Sequence, residues 1–288
     1  MHDLIPPKKS PIFKAYEDSD FLTSADARTV RILSEYYGPL HRFRQEKIKD
    51  TIVFYGSART MPPEKAEQEL EHAEQRLLSD SDNPLHIAQL NRAEIDYKIS
   101  RYYEDARKLA NMLTKWSLAM PGQWRRFLVC SGGGPGIMEA ANRGASEAGG
   151  KTVGLTISLP YEDQSNSYIT ENLAMEFHYF FMRKYWFVYM ARALCIFPGG
   201  FGTLDELMDL LTLLQTKKIR RKLPVIMYGS EYWNDVINLQ SLVKWGTISP
   251  EDLDIIRFCD TPEDAFDYLV EELTDTAGRP KNRKYGAI

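Results

Sequence analysis

The chain has few cysteines for its 288 residues: Cys130, Cys195 and Cys259, an odd number at wide spacings. That pattern excludes a disulfide framework and a CxxC metal knuckle. Cys130 and Cys195 lie in the apolar runs FLVC and ALCIF, so they read as small buried hydrophobes of strands. A reducing compartment follows. No apolar run approaches the roughly 20 residues that span a bilayer, so no membrane partner is expected. The opening MHDLIPPKKSPIF lacks the apolar segment of a secretory signal, and the expected location is cytoplasmic. The histidines (His2, His41, His72, His86 and His178) form no HxH or HxxxH pair, so no metal and no cofactor is expected. Charge of one sign is also missing: 36 Lys and Arg against 40 Asp and Glu leave a net charge of -4. That excludes binding to nucleic acid through overall basicity. Neither GxGxxG nor GxxxxGK[ST] occurs, so the dinucleotide fingerprint and the P-loop are both absent.

What is present is an ordinary globular composition, 43% hydrophobic and 26% charged, enough for a sizeable core. Residues 1–20 read as a polar, proline-rich arm. A helix is expected from about Thr23, with Val30, Leu33 and Tyr37 on one face, broken at Gly38-Pro39. A second short helix is expected over Leu40–Asp50. Thr51–Tyr55 reads as a strand, and the charged stretches 63–78 and 84–120 read as helices. From Phe127 onward strands alternate with helices: 127–130, 152–159, 193–197 and 224–228 are strands. Helices are expected after Gly136, from about Phe181, from Thr203 to Lys217, and near 235–244, 250–254 and 262–273. Continuous apolar strands between helices predict an α/β fold, a doubly wound parallel sheet covered on both faces. The expected organisation is an N-terminal helical extension over 1–50 and one domain over 51–288, with a helical insertion at about 60–120.

Three strands end in glycine-bearing turns: Gly56-Ser57, Ser131–Gly136 and Pro198–Thr203. Ligands of doubly wound sheets bind outside the carboxyl ends of strands. Glycine there lets backbone N–H groups approach an anion, and the next helix N-terminus adds its dipole. Three such turns point to a phosphate-bearing ligand. In PGGFGTLDE, Gly199, Gly200 and Gly202 expose N–H groups and Thr203 adds a hydroxyl. Glu206 has two readings: the partner in a Thr203-x-x-Glu206 capping box, or a carboxylate facing the cleft. Glu139, after GGGPG, poses the same choice. Arg183 and Lys184 stand among aromatic residues. Either they reach water from a packed helix, or a guanidinium meets a ligand anion. The run Lys217–Lys222 reads as the solvated, dipole-compensating end of a helix, and Tyr185–Tyr189 as either core or a dimer contact.

The segments SGGGPGIMEAANRGA (131–145), MRK around Arg183 and PGGFGTLDE (198–206) resemble the LOG family. Its members are phosphoribohydrolases that release a free cytokinin base from the riboside 5′-monophosphate, and many carry an older label of lysine decarboxylase. The resemblance spans about Thr51–Tyr228. It implies a Rossmann-like fold, at least a homodimer, and a nucleoside 5′-monophosphate such as AMP as substrate. It also implies roles: Arg183 and Glu206 catalytic, Gly199, Gly200, Gly202 and Thr203 on the phosphate, and Gly56, Ser57, Gly133, Gly134, Glu139 and Lys184 in binding. The family's short members place His-Glu before Arg-Lys, whereas Phe181-Met182 stand here, which leaves the nucleobase open. Two other classes are carried beside this one. One is a non-catalytic carrier of a nucleotide or phosphorylated cofactor with the same fold. The other is a pyridoxal-phosphate decarboxylase, for which Lys184 is the one candidate lysine near the motifs and no pyridinium partner is identified.

Overall fold

The computed structural model describes residues 14–158 and 165–277. The residues 1–13 of the expected arm and Leu159 of the expected third strand lie outside these.

Helices α1 (Ser19–Thr23) and α2 (Arg28–Gln45) precede β1 (Thr51–Tyr55). Two long helices follow, α3 (Pro63–Ser79) and α4 (Pro84–Leu118). They form a hairpin turned at Asp80–Asn83, where the Asn83 side chain accepts the Leu85 N–H at 3.0 Å and caps α4. Then come β2 (Leu128–Ser131), α5 (Ile137–Glu147), β3 (Val153–Ile157) and β4 (Ala174–Phe177). The remainder is α6 (Phe180–Met190), β5 (Ala191–Ile196), α7 (Phe201–Gln215), β6 (Val225–Tyr228), α8 (Ser230–Val236), α9 (Leu239–Lys244), β7 (Ile256–Cys259) and α10 (Pro262–Ala277).

The seven strands form one parallel sheet in the order β4-β3-β2-β1-β5-β6-β7. This is the doubly wound, Rossmann-like sheet expected. Alternate residues of β1 serve the two faces. Val53 and Tyr55 pack with Phe43 of α2, Met182, Trp186 and Phe187 of α6, and Leu207 and Leu210 of α7. Ile52 and Phe54 pack with Tyr103, Leu109 and Leu113 of α4, Ile137 and Ala141 of α5, and Leu269 of α10. All three cysteines are buried and free, and burial pushes the Cys130 and Cys195 thiols well up. Among the described residues, no helix is long and apolar enough to cross a membrane.

Several elements depart from the sequence reading. Gly38-Pro39 does not break α2, which runs through it. Pro39 cannot donate to the Glu35 carbonyl, and the Trp186 indole N–H donates to that oxygen instead, at 2.9 Å. The Glu35 carboxylate also accepts the His178 and Tyr179 backbone N–H groups at the start of α6. The α1 turn falls partly inside the region read as an arm. Strands β4 and β7 add to the expected set; both are edge strands with exposed positions. The basic run is not simply a solvated end of α7. Arg221 donates to the Val188 and Ala191 carbonyls, 2.5 and 3.1 Å, at the C-terminus of α6. In the aromatic helix, Trp186 and Phe187 are core, while Tyr185 and Tyr189 stack at 5.2 Å beside them.

Candidate nucleotide site

A cleft of about 1010 Å³ opens over the carboxyl ends of the strands. The turns after β1, β2 and β5 line it, together with Thr156 and Ile157 of β3, Glu176 of β4, Arg183 of α6 and Glu206 of α7. Gly56, Ser57, Gly133, Gly134, Gly199, Gly200, Gly202 and Thr203 all lie in this wall.

The turns are bound to one another. The Ser57 N–H donates to the Pro198 carbonyl at 2.9 Å, and the Ile137 N–H to the Ser57 carbonyl at 3.0 Å. Gly136, the N-cap of α5, has φ of +69°, and a side chain there would collide with the Ser57 carbonyl. The N–H groups of Ser57 and Gly133 are thus not open donors, since Gly133 N–H is taken by Ser131 Oγ at 3.0 Å.

A buried polar network fixes the second turn. Ser131 Oγ donates to Asn142 Oδ1 at 2.6 Å. The Asn166 amide donates to that same oxygen and to the Gly133 and Gly134 carbonyls, at 3.0 to 3.1 Å. Asn142 and Asn166 escape the sequence reading, because their partners lie far along the chain.

The third turn leaves backbone donors open. Gly200 is the N-cap of α7, so Phe201, Gly202 and Thr203 present first-turn N–H groups without helical acceptors. The aligned peptide dipoles add positive potential there. Of the two readings of Glu206, the capping box does not form: Thr203 is the third residue inside α7 instead of its cap. Glu206 therefore lies one turn further in, on the cleft wall. Tyr232 of α8, also on the cleft wall, donates its hydroxyl to the Gly199 carbonyl at 2.9 Å and braces the turn.

Arg183 is anchored from three sides. Its Nε donates to the Leu155 carbonyl of β3 at 2.7 Å. Its guanidinium lies over the Phe187 ring, 5.2 Å from the centroid. Across from it is Gly132, where a Cβ would stand 2.5 Å from Nη2. A side chain at 132 would push aside this guanidinium or Met138 Sδ, 2.6 Å from the same point.

Burial pushes the Glu206 carboxyl up to about 7, although Arg183 and Lys184 pull it down; Asp205 and Asp209 raise it further. Neighbouring Tyr55 is buried, and its phenol is held well above its ordinary range by that burial and by Glu206.

Two expected ligand contacts fall outside the cleft. Glu139 neither caps its helix through its side chain nor lines the cleft; its carboxylate accepts the Tyr103 hydroxyl at 2.7 Å. Lys184 points along α7, 2.7 Å from Asp205 and 3.7 Å from Asp209. Adjacent residues on a helix diverge by about 100°, so Arg183 and Lys184 serve different surfaces.

The family model described as "Possible lysine decarboxylase" matches residues 138–269. That stretch includes Arg183 and Glu206. Among solved structures it is similar to the X-ray structure of TM1055, at 20% identity and a TM-score of 0.46 over 77% of this chain and 99% of that one. It is also similar to the molybdenum cofactor carrier protein of Chlamydomonas reinhardtii. One structure of that protein gives 15% identity and a TM-score of 0.44 over 78% and 99% of the two chains. Another gives 17% and 0.41 over 61% and 89%. No curated protein matches the chain.

Proposed function

We propose that the protein hydrolyses the N-glycosidic bond of a nucleoside 5′-monophosphate, giving free base and ribose 5-phosphate. One observation carries the reading: Arg183 and Glu206 share a cleft with the open first-turn N–H groups of α7.

The 5′-phosphate sits on the N–H groups of Phe201, Gly202 and Thr203, with the Thr203 hydroxyl as a further donor. That fixes the ribose with C1′ beside α7. Breaking the bond from C1′ to the base leaves an oxocarbenium-like sugar, as in glycoside hydrolysis. The ionised Glu206 carboxylate stabilises that positive charge and takes the proton of the attacking water. Water's oxygen bonds to C1′, and the bonding pair leaves with the base, which picks up a proton. A guanidinium stays protonated at neutral pH, so Arg183 is not the acid. It binds ribose or phosphate oxygens and keeps Glu206 partly ionised. Because its Nε is spent on Leu155, the cleft receives its remaining N–H groups in a fixed direction.

The test is incubation of the purified full chain with purine and pyrimidine 5′-monophosphates, followed by chromatography of base and ribose 5-phosphate. Release from at least one nucleotide, lost in Glu206→Gln, is the expected result. Retention of nucleotide with no base released from any of them overturns hydrolysis in favour of a carrier.

A further inference from the structure

Tyr55 is the last residue of β1, the middle strand of the sheet, and the first glycine turn follows it directly. Its backbone is held: it pairs with Ile196 of β5, and its carbonyl accepts the Phe197 N–H at 2.8 Å. Its side chain leaves the sheet on the side of α6 and α7. There its ring meets Phe187 edge-on, with 5.0 Å between centroids. The same Phe187 ring carries the Arg183 guanidinium. One aromatic ring therefore fixes both side chains.

Helix α7 brings the carboxylate to this place. Thr203, Glu206, Leu207 and Leu210 have the spacing of one helix face, and Thr203, Leu207 and Leu210 are buried. That face lies on the sheet, with Leu207 and Leu210 in the cluster that holds Tyr55. Glu206 stands one turn nearer the strand ends than Leu210. It is close enough for its charge to act on the Tyr55 phenol, as Arg183, Asp209 and Cys130 also do. Tyr55 is only 7% exposed, yet it lines the cleft. Its hydroxyl makes no hydrogen bond to Glu206, Arg183 or any other of the described residues. A buried hydroxyl is normally paired, and the cleft is where its partner can enter.

We propose that the Tyr55 hydroxyl and the Glu206 carboxylate together hold the water that attacks C1′. The inference rests on the hydrolysis proposed above and adds a second catalytic residue on the same water. That water donates one hydrogen to Glu206 and accepts the Tyr55 O–H on one lone pair, which leaves the other lone pair for C1′. As the oxygen bonds to C1′, the bond from C1′ to the base breaks and its electron pair leaves with the base. The water's proton goes to Glu206. The phenol keeps its own proton, because burial and the Glu206 charge hold it well above its ordinary range. Tyr55 is therefore not the acid that protonates the base. A second fixed contact confines the water to one direction of attack, and a water held by a donor also steadies the ionised carboxylate beside it.

Tyr55→Phe keeps the ring and its packing on Phe187 and removes only the hydroxyl. It is compared with the unmodified chain on the purine and pyrimidine 5′-monophosphates. On the plateau above the pH midpoint, kcat is expected to fall about tenfold or more, with KM changed by less than about twofold. The midpoint of the kcat/KM profile is expected to move upward from near 7, by about 0.5 pH or more. A merely structural tyrosine moves neither. An unchanged kcat, a midpoint that stays in place, or a rise in KM alone overturns the assignment; the last puts the hydroxyl on the substrate instead of the water. Base release that Tyr55→Phe matches refutes the role of Tyr55 alone. No base released by the unmodified chain from any 5′-monophosphate refutes the hydrolysis, and this role with it.

Discussion

The Trp186 indole N–H donates to the Glu35 carbonyl at 2.9 Å, the oxygen that Pro39 leaves without its helical donor. A side chain from α6 thus completes the backbone of α2, and α6 is the helix that carries Arg183. The exchange is measurable. Trp186→Phe strands the Glu35 carbonyl, and Pro39→Ala returns an N–H to it. In urea titrations, Pro39→Ala is expected to be more favourable in the Trp186→Phe background than in the unmodified chain, by about 1 kcal/mol. Equal effects in the two backgrounds contradict this account.

Glu206→Gln keeps the size of the side chain and removes its charge. Base release is expected to fall by roughly 10²- to 10⁴-fold, the range for a lost general base or charge stabiliser. Loss in kcat with little change in KM separates this role from one in holding the ground state.

The same residue sets a pH profile. Its carboxyl titrates near 7 in the folded chain because it is buried, and only the ionised form stabilises a cation. The rate kcat/KM is therefore expected to rise with pH to a plateau, with its midpoint near 7. A midpoint near 4.5, the ordinary glutamate value, contradicts the burial that the structure gives it.

Stability carries the opposite sign. The folded chain binds the Glu206 proton more tightly than the unfolded chain does. This contribution is complete below about pH 4.5 and is lost as pH rises through 7. At pH 8 the unmodified protein bears the cost of a half-buried charge, which the neutral amide of the Glu206→Gln variant does not. Glu206→Gln is expected to be more stable at pH 8 by about 1–3 kcal/mol, with the gap closing toward pH 4. Denaturant titrations at the two pH values check it.

Asn142 is fully buried and joins Ser131, Asn166 and the Val153 carbonyl. Asn142→Leu leaves buried polar partners unpaired and is expected to cost about 1–3 kcal/mol or more. It should also weaken nucleotide binding, because Gly133 and Gly134 lose their brace; unchanged binding in a folded variant would show that the turn holds its shape without it.

Local patterns make much of the architecture readable. The run from β5 through PGGFGT into the Leu207, Leu210, Leu211 and Leu214 ridge is a strand, a turn and a helix by adjacent residues alone. The α3–α4 hairpin is equally plain from composition. What escapes depends on distant partners. AMEF and IRFC are too short and too mixed to announce edge strands. Pro39 looks like a break because its remedy comes from residue 186. Glu139 and Lys184 have the right spacing to be ligands, yet Tyr103 and Asp205 claim them. Conversely, nothing in Thr51–Tyr55 distinguishes Tyr55 from the other residues of a buried strand. Its nearness to Glu206 follows from where α7 lies on the sheet.

One junction has a mechanical meaning. Helix α6 ends at Met190 and β5 begins at Ala191, with no connecting residue between them. The guanidinium at position 183 and the glycines at 199 and 200 therefore sit at opposite ends of a single stiff bent rod, clamped at its elbow by Arg221. Neither end can swing without levering the central sheet, so the spacing between the two is set as the chain folds.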